Sequence, residues 1–83
     1  MSIKKICNDF GLRVVRRREE LGLTQRQVIE VVGNHKNTGW LSLIENGTSL
    51  PSLEYFIALA IALRMTPNQL LNYASWGEEH GEK

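Results

Sequence analysis

A single cysteine, Cys7, stands in the whole chain, so no internal disulfide can form and the domain must hold itself together by packing. Cys7 reads as a small buried apolar side chain in a reducing compartment. Long hydrophobic runs are missing too. The longest apolar stretch, from Tyr55 to Leu63, falls far short of the roughly 20 residues that cross a bilayer. Lys4 and Lys5 near the start are not followed by the apolar core of a signal peptide, so a soluble, cytoplasmic protein is expected, with no membrane partner. His35 and His80 stand apart from each other, and no carboxylate pair or metal-ligand spacing is visible. No enzyme, metal or cofactor is expected. Only two prolines occur, Pro51 and Pro67, and both fall between apolar segments, where they punctuate elements.

Charge of either sign is nearly balanced overall, at +1, but it is unevenly placed. Residues 1–40 hold eight Lys/Arg against four Asp/Glu, residues 41–75 one against two, and residues 76–83 one against three. A basic front half with an acidic tail suits a polyanion-binding face and a separate, non-binding end. The run Arg16-Arg17-Arg18 by itself reads equally well as a solvated helix face.

Eighty-three residues that are 42% hydrophobic suffice for one small core, and a chain of this length without staples is best stabilised by several packed helices. Phe10, Val14 and Leu21, extended backwards by Ile3 and Ile6, predict a first helix within residues 3–21, ended by Gly22 at positive φ. Thr24 and Gln27 form a capping box that opens a second helix with Val28, Ile29 and Val32 as its buried stripe. Gly33-Asn34 stops it. Asn37 caps a third helix running through Leu41 and Ile44 to about Asn46, where Asn46-Gly47 ends it. Leu53, Phe56, Ile57, Leu59, Ala60 and Leu63 make a strongly apolar fourth helix, and Thr66-Pro67-Asn68-Gln69 opens a fifth with a second capping box. The expected fold is all-α, with five helices and no strands. A single domain over residues 1–76 and a flexible acidic tail over residues 77–83 complete the organisation.

The order and spacing of Gly11, Val14, Arg18, Gly22-Leu23-Thr24-Gln25, Val28, Gly33, Leu41-Ser42, Ile44-Glu45-Asn46-Gly47, Pro51, Leu53, Ala60, Leu63 and Leu70-Leu71 resemble the lambda-repressor-like, or Xre-type, helix-turn-helix family. The resemblance runs roughly from Phe10 to Leu71. It implies a compact five-helix DNA-binding domain whose second and third helices form the helix-turn-helix, with the third entering the major groove.

Carried onto this chain, the pattern puts Gln25 beside a phosphate at the head of helix two, where free amides and the helix dipole favour an anion. Thr38, Gly39, Ser42 and Leu43 fall where base edges are reached, Leu43 serving either a thymine methyl or the core. Trp40 either covers the core or lies against the DNA backbone, and Asn46 falls where the helix end passes a phosphate. Arg26, Lys36 and Asn37 join this DNA-binding set, with Arg13, Arg16 and Arg17 adding long-range attraction. Glu45 would repel phosphates unless neutralised, and the resemblance implies a partly buried ion pair with Arg18. The chain departs from the family in three places. Arg17 replaces a usual leucine, so helix one is rotated or its apolar duty passes to Val15 and Leu21. Leu43 replaces a polar or basic residue. The turn before Leu41 is about two residues longer, with His35 and Lys36 in the extra length.

Ala58, Ile61, Tyr73 and Trp76 exceed what so small a core needs and are expected to form a homodimer surface. The function expected is a sequence-specific transcriptional regulator, a repressor or autoregulator acting on double-stranded DNA at a palindromic operator. The alternative is an antitoxin or adaptor of the same fold that acts through a protein partner.

Overall fold

Residues 2–71 are described by a computed structural model, in which five helices and no strand are found among the described residues. They are α1 (Ile3–Glu20), α2 (Gln25–Val32), α3 (Thr38–Glu45), α4 (Leu53–Ala62) and α5 (Pro67–Leu71). Tyr73, Trp76 and the acidic tail lie outside the described residues.

Local chemistry sets the ends. Ser2 caps α1 by accepting from the Lys5 amide at 3.1 Å. Thr24 and Gln27 close both halves of the expected capping box, at 3.1 and 2.8 Å, and Thr66 and Gln69 repeat it at 3.1 and 2.9 Å. Asn37 caps α3 by accepting from the Trp40 amide at 2.9 Å. At the other ends the chain reverses through paired 6→1 and 5→2 hydrogen bonds. The Leu23 and Gly22 amides donate to Arg18 and Glu19, Thr48 and Gly47 to Leu43 and Ile44, and Met65 and Arg64 to Ala60 and Ile61. The residue at positive φ is glycine in the first two reversals and Arg64, at φ 60°, in the third.

Phe10 and Val14 of α1, Val28 and Val32 of α2, Leu41 and Ile44 of α3, Leu59, Ala60 and Leu63 at α4 and Leu70 of α5 meet in one buried core. Cys7 is buried as a free thiol. α2 packs on α4, α1 on α3 and α5, and α2 on α3. The α1–α3 contact is close because Gly11 has no side chain. A Cβ there would stand 2.5 Å from the Ile44 carbonyl oxygen and 2.6 Å from that of Glu45. The short pair of α2 and α3 is thus clamped between α1 and α4, leaving the outer face of α3 uncovered.

Two arginines depart from the expectation of long-range attraction. Arg17 donates from Nε to the Leu63 carbonyl at 3.0 Å and from Nη2 to that of Arg64 at 3.4 Å. Arg13, only 4% exposed, donates from Nε to the Leu70 carbonyl at 3.2 Å. One helical turn apart on α1, they bond the carbonyl ends of α4 and α5, where a cation also complements the helix dipole. Arg17 therefore takes the place of the expected leucine by capping rather than by apolar contact. Val15 and Leu21 are half-buried beside it.

Candidate nucleic-acid interface

The side chains around the α2–α3 unit are organised by one carboxylate. Arg18 donates from Nε to Glu45 Oε2 at 2.7 Å and from Nη2 to Oε1 at 3.2 Å, and its Nη1 reaches the Leu23 carbonyl at 3.0 Å. The resemblance implied this ion pair, and its fork geometry is the one a planar guanidinium favours. The hydrogen bond to Glu45, the largest influence, raises the Arg18 pKa above its ordinary value against the opposing effect of burial. Glu45 Oε1 also accepts from Gln25 Nε2 at 2.9 Å, and Gln25 Oε1 accepts from Ser42 Oγ at 3.3 Å. The Glu45 carboxylate at the end of α3 thus joins the head of α2 to the end of α1, and Gln25 carries the link on to Ser42 in the middle of α3.

On α3, Leu41 and Ile44 face inward with no exposed surface, which turns Thr38, Gly39 and Leu43 outward. Leu43 is 46% exposed, so it is not core filler. Ser42 is half-buried, its hydroxyl directed to Gln25. Asn46 is exposed at the helix end, with its Oδ1 accepting from the Thr48 amide at 3.0 Å. Arg26 and Asn37 are exposed near the starts of α2 and α3. The structure thus gathers Gln25, Ser42 and Glu45 into a network and leaves Thr38, Gly39 and Leu43 open beside it.

The longer turn has its own architecture. Gly33, Asn34 and His35 take positive φ in succession, at 68°, 53° and 65°. Lys36 folds back so that its ammonium lies 4.3 Å from the Tyr55 ring centre and 5.5 Å from that of Trp40. Trp40 in turn meets Tyr55 edge-on at 5.8 Å and is half-buried. Sequence reasoning missed both the bonds that tie Gln25 to Glu45 and Ser42 and the Tyr55 stack. The spacing of Lys36 and Trp40, one turn apart around a helix start, was the available signal for the second. Of the expected dimer residues within the described part, Ala58 is half-buried and Ile61 is 61% exposed on α4.

Among the described residues no group of three His, Cys, Asp or Glu side chains could hold a metal ion, and no helix is long and apolar enough to cross a membrane.

The helix-turn-helix domain family matches residues 9–72. Among solved structures, the restriction-modification controller protein C.AhdI from Aeromonas hydrophila is similar, with a TM-score of 0.71 and 28% identity over 77% of this chain and 94% of that one. No curated protein sequence matches. With the five-helix order, the capped α2–turn–α3 pair and the family match in agreement, the chain belongs to the helix-turn-helix domain family, in its lambda-repressor-like form.

Proposed function

We propose that this protein is a sequence-specific DNA-binding transcriptional regulator that docks α3 in the major groove as a homodimer on a palindromic operator. The observation that carries the reading is the state of Glu45. It is the only acid on α3, and Arg18 and Gln25 hold it in a neutralised network while Thr38, Gly39 and Leu43 stay open. A helix arranged this way can approach phosphates without repulsion. Gln25 and the α2 amides take a phosphate, Thr38, Gly39, Ser42 and Leu43 meet base edges, and Arg26, Lys36, Asn37, Trp40 and Asn46 flank them.

Self-association is supported by α4, where Leu53, Ile57 and Ile61 recur every fourth residue and are 73%, 41% and 61% exposed. Such a stripe is long for a monomer surface, and two-fold pairing matches a two-fold operator. Similarity to a restriction-modification controller protein supports the regulatory reading, as a repressor or autoregulator.

Selection of bound sites from random duplexes tests the reading. The expected product is an inverted repeat whose half-sites lie about one DNA turn, roughly 34–36 Å, apart. Affinity should also fall steeply with salt as condensed counterions are released. No duplex binding at low ionic strength would transfer the function to a protein partner, as in an adaptor or antitoxin of the same fold.

A further inference from the structure

The turn between α2 and α3 combines unfavourable backbone with an aromatic tie to a different helix. Asn34 and His35 both hold positive φ, a region costly for most residues with a Cβ and more readily adopted by Asn and His, and two such residues in succession gain from contacts that hold the turn. Of the contacts around the turn, three involve Lys36 or the Asn37 side chain. The Lys36 amide donates to the Gly33 carbonyl at 3.1 Å, and Asn37 Oδ1 accepts from the Trp40 amide at 2.9 Å. Both lie within the turn and the start of α3. The third, the Lys36 ammonium against the Tyr55 and Trp40 rings, reaches across to α4. Because α4 packs on α2 and supplies Leu59 and Ala60 to the core, Tyr55 refers the turn to the body of the domain. Thr38 and Gly39 follow immediately after Asn37, at the end of α3 that leads out of this turn.

We propose that Tyr55 is a positioning residue for sequence recognition: with Trp40 on its edge, it holds the Lys36 ammonium, fixes the long turn, and so sets the direction in which Thr38 and Gly39 project. The proposal rests on the DNA-binding reading above and goes beyond it in placing part of the specificity on a helix outside the helix-turn-helix. Base contacts need a fixed approach angle, whereas phosphate contacts tolerate small tilts. Loss of the tie therefore weakens discrimination between duplexes rather than affinity for duplexes in general.

The experiment compares the unaltered protein with Tyr55→Phe and Tyr55→Leu. Thermal unfolding establishes that each is folded, amide hydrogen exchange reads the turn in the free protein, and affinities are measured for a selected duplex and an unrelated one. Tyr55→Leu is expected to raise exchange at the Lys36 and Trp40 amides and to lower the selected-to-unrelated affinity ratio roughly tenfold, with unrelated-duplex affinity unchanged, as loss of a cation–π tie implies. Tyr55→Phe keeps a ring face and should stay within about twofold of the unaltered protein. Equal losses on both duplexes, or unchanged exchange at the two amides, would overturn the proposal. Should Tyr55→Leu fail to fold, Lys36→Met at its half-exposed position removes the charge from the same stack, and unchanged exchange there overturns it equally. Absence of any duplex binding by the unaltered protein sinks the DNA-binding reading and this proposal together. Intact binding with unchanged discrimination in Tyr55→Leu sinks the proposal alone.

Discussion

Gln25 at the head of α2 donates from Nε2 to Glu45 Oε1 at 2.9 Å, so the residue assigned to a phosphate is, in the free domain, bonded to the last residue of α3. Any phosphate that recruits the Gln25 side chain must compete with a carboxylate that Arg18 also holds. The helix-turn-helix unit and its anchoring to α1 are therefore linked through a single side chain.

Gln25→Ala should weaken binding to unrelated duplexes and to a selected operator by the same factor, because a backbone contact carries no sequence information. Loss of its bond to the carboxylate should also lower unfolding stability by about 1–2 kcal/mol. Ser42→Ala contrasts with it, since it should alter preference at one base position. A selection experiment on both variants distinguishes them, and a Ser42→Ala variant that lost stability without changing preference would remove Ser42 from the DNA-facing set.

Glu45→Ala leaves the Arg18 guanidinium without its carboxylate at a site where the two side chains are only 16% and 8% exposed. Removing one partner of such a pair should cost ~3 kcal/mol of unfolding free energy, measured by urea denaturation. The pH dependence follows from the raised Arg18 pKa. A cation whose folded-state pKa is raised contributes fully below its unfolded value and is lost only as pH rises through the folded one. That window lies beyond ordinary alkaline conditions, so stability lost between neutral pH and pH ~10 should be the same in the wild type and in Arg18→Met.

Gly11→Ala would ordinarily favour a helix by about 1 kcal/mol. Here the sign should reverse. The added Cβ meets the Ile44 and Glu45 carbonyl oxygens at 2.5 and 2.6 Å, forcing α1 and α3 apart. A net loss of about 2 kcal/mol is expected from such overpacking, read as a lowered Tm. An unchanged or raised Tm would mean that the two helices do not approach this closely in solution.

Arg64→Gly should stabilise the protein. Arg64 occupies the left-handed position that closes α4, at φ 60°, where Gly22 and Gly47 close α1 and α3. Relief of the Cβ conflict is worth ~1 kcal/mol, or a Tm rise of a few degrees in a domain of this size. The carbonyl that accepts from Arg17 Nη2 is retained, so that bond survives the substitution.

Much of what depends on neighbours a turn away could be read from the sequence, although the Ser2 cap on Lys5 and the left-handed stop at Arg64 carried no glycine or capping-box signal. The boxes at Thr24 and Thr66, the Asn37 cap and the stops at Gly22, Gly33 and Gly47 were legible because a cap is a contract between residues three or four apart. Periodicity named Phe10, Val14, Leu41, Ile44, Leu59 and Leu63 as core, since helical geometry alone turns them to one side. The Arg18–Glu45 pair came from family resemblance, as nothing local joins those residues. Only the tertiary structure decided where the long polar side chains go. Arg17 reaches a carbonyl 46 residues away, Arg13 one 57 away, and Lys36 lies on a ring of α4. The physical reason is reach: arginine and lysine have stems long enough to meet several partners, and which one is met depends on how whole helices pack rather than on the residues beside them.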